Sequence, residues 1–72
     1  MNQNLKHADA WATIDRIDYR NPAAEFDRAI ASGRLSADPA ATNYAGDFMY
    51  MGTNRDSGRA YFKHSVERTY LD

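Results

Sequence analysis

The chain has 72 residues, with nine Lys and Arg against ten Asp and Glu, two His and no Cys. That length holds one domain at most, over 1–72, and the absence of cysteine excludes disulfide staples, thiolate zinc sites and cysteine nucleophiles. A formal net charge of −1, balanced in each half of the chain, shows neither the positive excess of a nucleic-acid domain nor the strong acidity of a DNA mimic.

Leu, Ile, Val and Phe together supply only ten residues, a share that goes with disorder when net charge is high. Here the charge is near zero, and nine aromatics, three Met and twelve Ala supply the bulk. The expectation is a folded domain with an aromatic and Met-rich core, marginal as a monomer because so short a chain buries only about 60% of its unfolded surface. No apolar run approaches the roughly 18 residues of a membrane span, and 1–11 lacks the apolar middle of a signal peptide. The expected location is the cytoplasm, without a membrane partner.

Trp11, Ile14 and Ile17, with His7 and Ala10, fall on one helical face, which predicts an amphipathic helix from about Asn4 to Tyr19, capped by Asn4 or Asp9. A second helix is punctuated more sharply. Asn21 can cap it, Pro22 suits its first position, Glu25 lies near the positive end of its dipole, and Gly33 can take the left-handed conformation beyond its end. The prediction is a helix over Pro22 to Ser32 with a buried stripe of Ala23, Phe26, Ala29 and Ile30, joined to the first as a helical hairpin. Asp38-Pro39 marks one further helical turn or an irregular link within 33–45.

From Gly46 the pattern changes to strand. Phe48-Met49-Tyr50-Met51 and Ala60-Tyr61-Phe62-Lys63-His64 flank a polar segment rich in turn formers, the signature of a β-hairpin over about 46–65. A loop of Asp56-Ser57-Gly58 sets Arg55 opposite Arg59, whereas a longer loop over 54–58 sets Thr53 opposite Arg59 and avoids the like-charge pair. Both registers put Phe48, Tyr50, Phe62, His64 and Val66 on one face, read as the core, and Met49, Met51, Tyr61, Lys63 and Ser65 on the other. A hairpin alone is marginal, so it packs on the helices or recruits a third strand. The tail 66–72 either continues the second strand or turns into a short helix. The fold class expected is α+β: an N-terminal helical hairpin on a small antiparallel sheet formed by a C-terminal β-hairpin.

Chemistry is sparse. His7 and His64 are the only imidazoles, and each reads as a structural residue, because a ligand set needs at least three converging groups. Asp9, Asp15, Asp18, Glu25 and Asp27 alternate with Arg16, Arg20 and Arg28 at spacings that mean solvated ion pairs. There is no phosphate loop and no nucleophile motif, so the chain is read as non-enzymatic, with no catalytic residue, metal or cofactor. Two surfaces suggest partners. Met49, Met51, Tyr61 and Lys63 form a soft, aromatic face suited to another protein or to a second copy of the chain, either through the face itself or by strand addition at an edge. Arg55, Arg59, Lys63 and Arg68 interleaved with Tyr50, Tyr61 and Tyr70 suit nucleic acid, with Arg55, Arg59, Lys63, Tyr50 and Tyr61 as the candidate contacts, a reading weakened by Asp47, Asp56, Glu67 and Asp72 in the same segment.

Phe26-Asp27-Arg28-Ala29-Ile30-Ala31-Ser32-Gly33-Arg34-Leu35-Ser36, followed by Asn43-Tyr44-Ala45-Gly46-Asp47-Phe48-Met49-Tyr50-Met51-Gly52, resembles small proteins borne by phages, prophages and plasmids. The likeness spans about half the chain and carries no catalytic motif. It implies an accessory protein of a mobile element that binds and blocks a host protein, as anti-CRISPR proteins of similar size do, and it transfers no functional residue. The function expected is protein binding, as inhibitor or adaptor, with nucleic-acid binding as the alternative.

Overall fold

A computed structural model describes residues 16–71. Along the chain they form β1 (Ile17–Asp18), α1 (Pro22–Ala31), a 3₁₀ turn (Ala45–Asp47), β2 (Phe48–Asn54) and β3 (Ala60–His64). The strands make one antiparallel sheet in the order β1-β2-β3, and α1 packs on one face of it.

The expected N-terminal helical hairpin is not the fold. Positions 4–15 lie outside the described residues, and the end of the expected first helix is strand instead: Ile17 pairs with Asn54 and Asp18 with Thr53. The reason is the open edge of β2, whose backbone groups need partners that a helix cannot supply. Arg55 N–H donates to the Arg16 carbonyl at 2.7 Å. Paired carboxylates and guanidiniums then pin the strand, Arg16 to Asp56 and Arg55 to Asp18. A third strand thus completes the sheet.

Helix α1 follows its punctuation closely. Asn21, in extended conformation, accepts a hydrogen bond from Ala24 N–H at 3.3 Å, and Pro22 opens the helix. At the other end Gly33 adopts φ 86°, its N–H reaches the Ile30 carbonyl, and Arg34 N–H reaches the Ala29 carbonyl at 2.9 Å, which together are a Schellman cap. Phe26, Ala29 and Ile30 face the sheet as expected, but Ala23 is exposed and Glu25 is buried in its place. The buried stripe turns toward Glu25 because that carboxylate has partners inside.

The β2–β3 ladder starts with even residues opposite even: Phe48 with His64 and Tyr50 with Phe62. A bulge at Met51 then shifts it, so Gly52 meets Tyr61 and Thr53 meets Ala60. Neither expected register survives past the bulge. Arg55 does not oppose Arg59, and Thr53 faces Ala60 rather than Arg59. The loop is closed by Asn54, whose side chain accepts from Asp56 and Ser57 N–H, and by Gly58 at φ 76°.

The core gathers Ala29, Leu35, Tyr50, Ala60 and Phe62, with Phe26, Ile30, Ala45, Phe48 and Leu71 packed around it. The rings of Phe26 and Tyr50 lie 4.9 and 5.9 Å from that of Phe62, which is fully buried. The expected aromatic core is present, but among the described residues its cluster holds no Met. Val66, expected on the core face, is 80% exposed because it sits in a turn. There the His64 Nδ1 accepts from Val66 and Glu67 N–H, and Arg68 takes φ 65°. The tail then neither continues β3 nor coils into a helix. It doubles back along the outer edge of β3, with Lys63 bridged to Tyr70 and Leu71 N–H donating to the Phe62 carbonyl at 2.9 Å.

Gly52 deserves its glycine on two counts: φ is 118°, and a Cβ there would stand 2.5 Å from Ile17 Cγ2. Gly52→Ala is expected to cost about 1–3 kcal/mol in urea unfolding. Gly33→Ala, equally left-handed but with nothing within 4 Å of the new Cβ, is expected to cost less. Equal losses at both would assign the effect to φ alone and not to the packing of β1.

Candidate functional site

Alternation along the strands divides the sheet into two chemically different faces. The face against α1 carries Tyr50, Phe62, Thr53 and Ala60, all buried. It also carries a polar chain that runs from the exposed Arg28 to the buried Glu25, Thr53 and Tyr50. Arg28 Nη2 donates to Glu25 Oε1 at 2.5 Å, Thr53 Oγ1 donates to the same oxygen at 2.9 Å, and Thr53 Oγ1 lies 2.5 Å from the Tyr50 hydroxyl. Because the Thr53 proton goes to Glu25, Tyr50 donates to Thr53, and its oxygen accepts from Arg20 N–H at 3.1 Å. Burial pushes the Glu25 carboxyl up, but hydrogen bonds from Arg28 and Thr53 and the charges of Arg28 and Arg20 outweigh it and hold it below its ordinary value of 4.5.

The opposite face carries Met49 beside Lys63 in the ladder, Tyr61 opposite Gly52, and Ile17 over Gly52. The Lys63 ammonium lies 5.6 Å from the centroid of the Tyr70 ring, and the Tyr61 hydroxyl accepts from Asn54 Nδ2 at 3.4 Å. Met49 is 36% exposed, while Met51, Tyr61, Lys63 and Tyr70 are half-buried. Burial holds the Tyr70 phenol above its ordinary value. Three of the four residues expected to contact a protein, Met49, Tyr61 and Lys63, are therefore brought onto one face by the ladder. Met51 sits at the bulge between them and Gly52.

The set expected for nucleic acid is divided. Tyr50 is 5% exposed with both its ring and hydroxyl engaged, so it offers no stacking surface. Arg55 is tied to Asp18 at 3.0 Å, and Arg59 is exposed beyond the loop. Asp18 and Asp56 are held below the usual carboxylate range by hydrogen bonds from Arg55 and Arg16 respectively, with Arg20 adding to Asp18. Those carboxylates interleave with the guanidiniums on the β1 side of the sheet.

His7 lies outside the described residues, and the His64 Nδ1 is occupied by two backbone amides. No group of three or more His, Asp or Glu arranged to hold a metal occurs among the described residues, and no described helix is long and apolar enough to cross a membrane. The sequence pattern puts Ile17 on a helical stripe, Tyr70 among rings interleaved with cations and Glu25 among solvated carboxylates, whereas the structure places Ile17 over Gly52, Tyr70 beside Lys63 and Glu25 in the buried layer. The signal for Ile17 was Gly52, since glycine inside a strand pattern marks a bulge or a close backbone approach. No protein-family model matches the chain, and comparison with curated proteins and with solved structures finds no match.

Glu25 sets an acid limit on the fold. A carboxyl held below its ordinary value contributes stability that is present above 4.5 and is lost as pH falls through its lowered value. The urea midpoint is therefore expected to fall between roughly pH 5 and 3. In Glu25→Gln it should start lower at neutral pH and fall less steeply, the remaining slope coming in part from Asp18 and Asp56. An unchanged slope in Glu25→Gln would show that this carboxylate is not the acid-sensitive contact.

Proposed function

We propose that this chain is a non-enzymatic protein-binding module whose contact surface is the sheet face opposite α1, centred on Met49, Tyr61 and Lys63 with Met51 at its edge. The carrying observation is the ladder itself, which sets a polarisable thioether, a phenol ring and an ammonium side by side on the face away from α1. Tyr gives large contact area at low entropic cost, Met an adaptable, polarisable one, and Lys63 over Tyr70 adds one cation to an otherwise soft apolar surface. The partner that suits it presents an apolar patch with an acidic side chain at its margin. Binding of this kind serves an inhibitor or an adaptor.

Contact through the face is favoured over strand addition. The outer edge of β3 is already paired with Tyr70 and Leu71, and β1 offers a strand of two residues at the other edge. Nucleic acid is disfavoured by the burial of Tyr50 and by the pairing of Arg55 with Asp18.

Tagged protein and three variants, used against host lysate with light-scattering measurement of self-association, test the reading. Met49→Asp and Tyr61→Ala are expected to lose captured protein about tenfold or more, while Asp27→Ala, on the exposed side of α1, keeps it. Equal capture by all four proteins would remove the proposed surface. Loss of a dimer in the two face variants alone would make the partner a second copy of the chain.

A further inference from the structure

A cavity of about 90 Å³ opens where the C-terminal half of α1 meets β3, lined by Glu25, Arg28, Ala29, Ser32, Arg34 and Ala60. It lies on the α1 side of the sheet, so it is independent of the interaction face. The Nε and Nη2 atoms of Arg34 are buried and have no hydrogen-bond partner among the described residues. A buried donor left unpaired is costly, and a charged one more so.

The backbone of Arg34 is fixed by its surroundings, and its guanidinium lies near the buried core ring. The Arg34 N–H closes the cap of α1, its carbonyl accepts from Asn43 Nδ2 at 3.2 Å, and its Cζ lies 5.6 Å from the centroid of the buried Phe62 ring. Burial, and then the positive charges of Arg59 and Arg28, make the protonated form of Arg34 harder to keep than usual. The one carboxylate on the cavity wall, that of Glu25, makes no hydrogen bond to these two atoms; its Oε1 receives Arg28 and Thr53 instead. Cationic charge around this cavity is thus unmatched.

The two unpaired atoms share one edge of the guanidinium, where two parallel N–H groups match two oxygens of a phosphate or carboxylate. Arg16 uses that same edge to hold both oxygens of Asp56. Two guanidiniums against one carboxylate leave the wall net positive, and Arg59 beyond it adds to that charge, which favours a multiply charged oxyanion such as phosphate over a monovalent carboxylate. We propose that the cavity is a phosphate-binding site, in which the Nε–Nη2 edge of Arg34 takes two phosphate oxygens, Arg28 and Ser32 form the wall, and Arg59 supplies further positive charge. Binding turns the guanidinium on the Phe62 ring toward the cavity, a rotation that its flexible stem permits.

Calorimetric titration of the full chain with inorganic phosphate at constant ionic strength, with acetate as the comparison, tests the site. Phosphate is expected to bind and acetate to bind much more weakly. Arg34→Met, which keeps the stem and removes the donors, should weaken phosphate about tenfold or more. Arg34→Lys, which keeps the charge without the paired edge, should show most of that loss. The Arg34 Nε–H resonance of the unaltered chain should shift on adding phosphate, a readout that does not depend on any variant folding. Tighter binding of inorganic phosphate than of O-phosphoserine would assign the free ion, and the reverse order a phosphate carried on a larger molecule. Unchanged affinity in Arg34→Met, acetate binding as tightly as phosphate, or an unmoved Nε–H resonance would overturn the proposal.

Discussion

One extra residue in β2 organises this molecule. Up to Tyr50 the strand presents its even residues to α1; the bulge at Met51 absorbs one position, and from there Thr53 faces inward instead. Gly52, left-handed and without a Cβ, lets Ile17 approach the strand directly, and this is what allows β1 to join the sheet. Had the pleat continued without the bulge, Thr53 would lie on the outer face, and Glu25 would be buried with Arg28 alone. A single shift in parity therefore sets the third strand, the polar chain behind the helix and the composition of both faces.

The inner layer is small and is held by two different forces. Phe62 is the apolar centre, contacted by the rings of Phe26 and Tyr50 and by the guanidinium of Arg34. Beside it runs the line of hydrogen bonds from Arg28 through Glu25 and Thr53 to Tyr50. A buried network of this kind contributes little net stability but penalises every arrangement that leaves a member unpaired, so it favours one docking of α1 over its rotated alternatives. Arg28 extends the tie by donating to the Gly58 carbonyl at 2.9 Å, which binds the helix to the hairpin loop.

The two surfaces proposed here differ in physical character because they lie on opposite sides of that layer. The outer face is soft and nearly neutral, suited to another protein surface. The cavity at the seam of α1 and β3 is cationic and partly desolvated, suited to a small anion. Arg28 and Arg34 belong to the structure as much as to the cavity, since one joins the helix to the loop and the other lies on the central ring.

What the amino-acid order determined unaided were the local elements. Asn21, Pro22 and Gly33 set the ends of α1 through backbone geometry and short-range hydrogen bonds that need no distant partner. The two aromatic runs and the turn formers between them specified a hairpin, and period-two alternation placed Met49, Tyr61 and Lys63 together. Tertiary contacts decided the rest. Ile17 fits a helical stripe by spacing and Asp18 falls within the same expected helix, yet both became strand because the edge of β2 offered hydrogen bonds and ion pairs from residues 35 or more positions away. Glu25 reads as a surface carboxylate at a helix start until Thr53 and Arg28 surround it, and Arg34 reads as an ordinary loop cation until it lies on Phe62. Periodicity records which residues share a side of one element; which side is buried, and which polar group is left without a partner there, depends on what the other elements bring against it.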